Sequence, residues 1–169
     1  LYVDSLIYSI GLAYYDPTAE SFDVTGETIT LDKVENFQED PIHKNLVLDV
    51  GGQKVGYLMY NKFLNEFDDQ LIQTFSDFAA EGVTDLVLDL RYNPGGSVRT
   101  CVYLASMITG QFTDEIFAQQ IWNSKLLAYF EALNSNSNDS DDRELNNYFT
   151  STNSEGVTLP ALNLNTVYI

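Results

Sequence analysis

Apolar and polar positions divide this chain into short strands, two clear helices and polar connections. In the aromatic opening stretch, residues 1–31, Leu6-Ile7-Tyr8-Ser9-Ile10 and Thr28-Ile29-Thr30-Leu31 read as strands, and Tyr2, Tyr14, Tyr15 and Phe22 add bulk between them. Asp16-Pro17 and Thr25-Gly26 are turn signals. Residues 32–45 are polar, contain Pro41 and read as a connector. A hairpin follows: Leu46-Val47-Leu48-Asp49-Val50 and Val55-Gly56-Tyr57-Leu58-Met59-Tyr60 are joined through Gly51-Gly52-Gln53-Lys54. Residues 67–81 have helical spacing, with Phe67, Leu71, Phe75, Phe78 and Ala79 on one face. Asp68 and Asp69 suit the positive start of that helix, and Gly82 suits its end.

The pattern then sharpens over residues 86–98. Leu86, Val87, Leu88 and Leu90 form an apolar run that suits a strand buried on both faces of a parallel sheet. Asn93-Pro94-Gly95-Gly96 stops it, because Pro94 has no N–H for a ladder and paired glycines permit sharp turns. Ser97 can cap a helix, and Val98, Cys101, Val102, Ala105 and Ile108 recur at helical spacing up to Gly110. Strand, helix, strand and helix from residue 55 to 108 make a βαβα unit, so strands 55–60 and 86–90 should be parallel with a right-handed connection. Free N–H groups converge where such a strand meets such a helix, and ligands of open α/β sheets gather at this end. A tight connection with no ligand accounts equally well for the pattern. The turn matches neither a phosphate-binding loop nor the Gly-x-Ser-x-Gly nucleophile elbow.

Downstream the signal weakens. Residues 116–123 alternate enough for a strand, and Leu126, Leu127, Phe130 and Leu133 mark a short helix. Residues 134–142 contain only Asn, Ser and Asp and read as a solvated loop. Residues 148–159 suggest no element, and residues 163–169 read as a strand entering the sheet.

Composition narrows the functions. The net charge is −17, from 8 Lys+Arg against 25 Asp+Glu. That opposes nucleic acid, which needs a basic footprint, and anionic lipid as well. No run approaches a membrane span. One cysteine, Cys101, and one histidine, His43, exclude an internal disulfide and a cysteine or histidine metal cluster. Cys101 reads as a small core residue and His43 as an exposed connector residue. Asp139, Asp141 and Asp142 lack the spacing and glycine of a calcium loop. Neither a metal nor a cofactor is therefore expected.

The segment Asp89-Leu90-Arg91-Tyr92-Asn93-Pro94-Gly95-Gly96, after Leu86-Val87-Leu88, resembles the Leu-Asp-Leu-Arg-x-Asn-x-Gly-Gly signature of the C-terminal processing (tail-specific) peptidases, serine peptidase family forty-one. Lys54-Val55-Gly56-Tyr57-Leu58 followed by Phe63 resembles that family's Lys-Ile-Gly-Tyr-Leu…Phe strand. The resemblance covers residues 46–110 well and the rest loosely. It implies an α/β fold with a crotonase/Clp-protease-like core. Residues 1–44 would be a small β-rich segment and connector, the tail of a PDZ-type domain, and residues 45–169 a partial peptidase core. It implies a polypeptide substrate and a bacterial periplasm or cell-envelope location. The catalytic contribution carried by this chain would be the Gly95-Gly96 turn, whose backbone N–H forms part of an oxyanion hole; either glycine can be the donor.

The family's nucleophile stands in a Ser-Ala-Ser/Gly-Ala-Glu-type segment with a lysine base beyond it, and neither is found in these residues. Leu1 is not a natural start, so an excised piece, inactive alone, is expected. Ser97 reads as a helix cap; Lys54, Lys62 and Lys125 read as exposed and hence protonated. Asp89 and Arg91 read as a bracing pair. Two other functions stay open: a non-catalytic peptide-binding module on the same scaffold, and an acyl-CoA enzyme of crotonase type. The Asp-Leu-Arg-x-Asn-Pro-Gly-Gly match argues against the second.

Overall fold

The computed structural model describes residues 6–35, 37–136 and 145–169. It divides into two compact units, Leu1–Glu39 and Asp40–Ile169.

The first unit is a β-hairpin. Strands β1 (Ile7–Asp16) and β2 (Ser21–Asp32) pair antiparallel, with Tyr8 opposite Leu31 and Ile10 opposite Ile29. The turn forms at Asp16-Pro17, where Asp16 Oδ1 accepts from the Thr18 and Ala19 N–H groups. Thr25-Gly26, expected as a second turn, lies inside β2 instead. There the register slips between Gly11 and Ala13, Gly26 takes a φ of 82°, and Thr25 Oγ1 donates to the Leu12 carbonyl at 3.1 Å. That is a bulge, which glycine accommodates without ending the strand. Tyr2 lies outside the described residues.

In the second unit, β3 (Ile42–Val50) and β4 (Gln53–Tyr60) form the expected hairpin. β3 begins earlier than expected: residues 42–45, expected as connector, pair with the end of β4 across a bulge at His43. A 3-10 turn (Asn65–Phe67) leads into α1 (Asp68–Glu81), closed by Gly82 in the left-handed conformation. Leu71, Thr74, Phe75 and Phe78 are its buried residues. Phe67 is only half-buried and Ala79 is exposed, because the helix begins after Phe67 and its core face turns toward Thr74.

Strand β5 (Asp85–Asp89) runs parallel to β4, as the βαβ spacing predicts. Its burial alternates: Leu86 and Leu88 are buried but Val87 is partly open, so the sheet is covered well on one face and less on the other. Helix α2 (Val98–Thr109) follows, capped by Ser97 Oγ accepting from the Thr100 N–H at 3.2 Å and closed by Gly110. The expected stripe is offset. Val102, Tyr103, Leu104, Met107 and Ile108 are buried, whereas Val98 is exposed and Cys101 and Ala105 are half-buried. The cause is residues 150–164, which cross this helix. The Thr150 N–H donates to Ser106 Oγ and the Ser154 N–H to the Tyr103 hydroxyl, at 3.0 and 2.8 Å. The Leu162 and Leu164 N–H groups donate to the carbonyls of Met107 and Ile108.

Strand β6 (Ile116–Gln119) pairs with β7 (Asn146–Tyr148), and α3 (Ser124–Asn136) lies between them in sequence. Residues 134–136, expected as loop, finish α3, and the rest of that stretch lies outside the described residues. β8 (Val167–Tyr168), shorter than expected, joins β5 in parallel and completes a sheet of order β3-β4-β5-β8. Leu58, Tyr60, Leu71, Phe75, Leu86 and Met107 are fully buried between sheet and helices. Among the described residues no helix is long and apolar enough to cross a membrane.

Candidate active site

The carboxyl end of β5, the turn after it and the start of α2 converge on Gly95 and Gly96. Asn93 builds the turn. Its Nδ2 donates to the Tyr60 carbonyl at 2.9 Å, tying the turn to the end of β4. Its Oδ1 accepts the Gly95 N–H at 2.7 Å. Phe63 holds the other side: its N–H donates to the Gly95 carbonyl at 3.1 Å, and its carbonyl accepts the Ser97 N–H at 2.9 Å. Such a parallel bridge leaves the N–H and carbonyl of the bracketed residue, Gly96, pointing away from Phe63.

The two glycines therefore differ. Both have positive φ, 105° for Gly95 and 140° for Gly96. The Gly95 N–H is taken by Asn93. The Gly96 N–H has no acceptor among the described residues, and Gly96 is exposed. It stands two residues before α2, where the helix dipole adds partial positive charge. An N–H so placed can stabilise negative charge developing on a carbonyl oxygen.

Below the turn, Asp89 is buried and paired. Arg91 grips it through Nε and Nη2, with Nη2 2.7 Å from Asp89 Oδ2, and the Arg91 backbone N–H donates to Oδ1. The Tyr57 hydroxyl donates to Oδ2 at 2.8 Å. These bonds, the Arg91 side chain foremost, hold the Asp89 carboxyl well below the usual carboxylate range. A carboxylate so committed braces the strand end and is a poor proton acceptor, as expected from the sequence.

The other sequence candidates do not converge. Ser97 is spent on its cap. All five lysines are exposed, and Lys54 pairs with Asp49 at 3.4 Å. His43 is exposed at the β3 bulge. Cys101 faces an apolar cavity of about 260 Å³ whose lining includes Phe63, Leu90, Leu104 and Phe149 but no histidine, and burial pushes its thiol pKa up. It is a half-buried wall residue, short of the core position expected. Asp139, Asp141 and Asp142 lie outside the described residues, and among the described ones no cluster of His, Cys, Asp and Glu could hold a metal ion.

Sequence reasoning passed over Asn93, although an asparagine two residues before a glycine is the signature of an Asx turn. It also read Asp68 only as a charge at the helix start and did not single out Thr100. The Thr100 hydroxyl donates to Asp68 Oδ1 at 2.6 Å and lies 3.0 Å from Asn65 Oδ1. No local spacing announces that contact, because it joins residues 32 apart.

Comparison with known proteins gives a consistent result. The sequence model of peptidase family S41 matches residues 54–155, more than half of the chain. A carboxyl-terminal-processing protease of Picosynechococcus is 30% identical over 96 residues, which are 57% of this chain and 21% of that protein. The solved structure of an S41 protease of Bacteroides fragilis superposes with a TM-score of 0.62 at 28% identity, covering 96% of this chain and 40% of that one. The chain thus spans well under half the length of either relative.

Proposed function

The chain belongs to peptidase family S41, and on that premise we propose that it is part of a serine-type peptidase that cleaves polypeptides near their C-termini. Its contribution is the oxyanion turn, with the Gly96 N–H as donor, together with the sheet on which an extended substrate docks. One observation carries this reading: of the two glycine N–H groups, Asn93 consumes that of Gly95 and leaves that of Gly96 free and exposed at the head of α2. A free donor at this place is what acyl transfer requires of a backbone.

The nucleophile and its base lie outside these residues. A lysine base must be buried to lose its proton at neutral pH, and every lysine here is exposed. The chain alone is therefore inactive, although the turn can still hold a carbonyl. The charge of −17 leaves nucleic acid aside as a partner. The family reading also carries a bacterial periplasm or cell-envelope location.

The test compares the purified 169-residue chain with the parent protein extended past Ile169. Both are assayed on unstructured polypeptides and with a serine-reactive fluorophosphonate. Turnover and labelling confined to the extended form support the reading. Turnover by the short chain would place an unrecognised catalytic group within it. Peptide binding with no turnover in the extended form would favour the non-catalytic peptide-binding module.

A further inference from the structure

The turn that presents Gly96 is gripped twice by one short segment, residues 63–68. At the first residue of that segment the Phe63 backbone brackets Gly96. At its last, Asp68 takes the hydroxyl of Thr100, which lies in the first turn of α2. Thr100 is fully buried, and its own N–H is fixed on Ser97 Oγ. The Asp68 side chain is only 12% exposed, and its other oxygen lies 3.7 Å from Arg99 Nε.

We propose that Asp68, acting through Thr100, is a positioning residue for the oxyanion turn, holding the start of α2 so that the Gly96 N–H keeps the direction the Phe63 bridge gives it. The inference rests on the peptidase reading of that turn. Burying a carboxylate is costly, and an apolar contact would hold α2 against α1 without that cost. What a carboxylate adds is a short, directional, charge-assisted bond. Direction matters little for packing but greatly for an oxyanion donor, because a hydrogen bond weakens steeply as its angle closes. Only three residues lie between Gly96 and Thr100, so a twist of the first turn of α2 passes to the Gly96 peptide. The Phe63 bridge aims that N–H, since the Gly95 carbonyl and the Gly96 N–H share one peptide plane, and the Thr100–Asp68 bond keeps the first turn of α2 from twisting the bridge out of line. An asparagine keeps the Oδ1 acceptor and with it the direction of the bond, giving up only the charge assistance.

The experiment uses the full-length parent enzyme with Asp68→Ala, Asp68→Asn, Thr100→Val and Thr100→Ser. kcat and KM are measured separately on an unstructured polypeptide and expressed per folded active site, alongside thermal unfolding. Asp68→Ala and Thr100→Val should lower kcat about tenfold or more, with KM changed less than about threefold, as for loss of an interaction made only in the transition state. Asp68→Asn and Thr100→Ser should restore kcat to within about threefold, and the Asp68→Ala/Thr100→Val pair should be no worse than either alone. Thr100→Val keeps the side-chain shape, so it reports even if Asp68→Ala fails to fold. Unfolding at lower temperature with kcat unchanged would overturn the role and leave only a structural contact. A rise in KM alone would overturn it too. A wild-type parent with no turnover and no serine labelling would overturn the peptidase reading and this role with it.

Discussion

Phe63 holds Gly96 from both sides through its backbone, donating to the carbonyl before it and accepting from the N–H after it. A Cβ on Gly96 would collide with the Phe63 carbonyl, whereas one on Gly95 would meet nothing within 4 Å. Both positions have φ values that L side chains rarely adopt. Gly95→Ala should therefore cost only backbone strain, about 1–3 kcal/mol. Gly96→Ala should cost visibly more, since the bridge to Phe63 must also open. Urea unfolding of the two variants beside wild type measures the difference. Equal costs would mean that the bridge yields freely and does not hold the turn.

Asn93 offers a second handle on the same turn. Asn93→Ala removes the acceptor for the Gly95 N–H and the donor to the Tyr60 carbonyl together. Asn93 is half-buried, so water can reach part of what is left unpaired, and the cost should be about 1–2 kcal/mol. Asn93→Asp keeps the acceptor and loses only the donor, so it should fall between Ala and wild type in unfolding and, in the parent enzyme, in kcat. An Asp variant as impaired as the Ala variant would show that the link to Tyr60, and not the Gly95 bond, holds the turn.

The parts of this architecture carried by local chemistry were legible in the sequence. Ser97 caps α2 and Gly82 ends α1 because each acts within a few residues of itself. The parallel pairing of β4 and β5 follows from a strand–helix–strand spacing that leaves little choice. What was not legible depends on partners far along the chain. The offset stripe of α2 comes from residues 150–164 covering Tyr103 and Ser106, and those residues carry no periodicity of their own. The two glycines are identical in type and both precede a helix, and only the Asx turn at Asn93, which takes the N–H two residues on, separates them; that signal was present and passed over. Thr74 and Thr100, both buried, are polar in type, and their burial is set by contacts that periodicity does not register.

The packing of α1 separates two phenylalanines that the sequence placed on one face. Phe75 is fully buried, with its ring 6.0 Å from that of Phe78. Phe75→Ala should cost about 3–5 kcal/mol, the usual range for a buried aromatic. Phe67 is half-buried at the entry to the helix, and Phe67→Ala should cost clearly less, about 1–2 kcal/mol for its smaller buried area. Chemical denaturation of both variants checks the order. A cost below about 1 kcal/mol at Phe75 would mean that this face does not form the core.

Asp89 links stability to pH, and the sign follows from the direction of its shift. The Arg91 side chain, then the Tyr57 hydroxyl and the Arg91 backbone N–H, stabilise the charged carboxylate in the fold and lower its pKa. In the unfolded chain the group titrates near the ordinary aspartate value, about 3.9. Above that value the carboxylate is charged in both states and the fold keeps the full benefit. As pH falls through about 3.9 toward the lowered folded value, the unfolded chain takes up the proton first, and the benefit is progressively lost. Asp89→Asn carries no charge to lose. The gap in unfolding temperature between wild type and Asp89→Asn should hence be constant above about pH 5 and close as the pH falls below about 4. Arg91 is 76% exposed at its side chain, so added salt should narrow the gap at neutral pH. Arg91→Ala removes the largest cause of the shift and should narrow it more than Tyr57→Phe does. A gap that stays level down to about pH 2.5 would mean that the Asp89 charge contributes nothing to the fold, and that the two residues brace the strand end by shape alone.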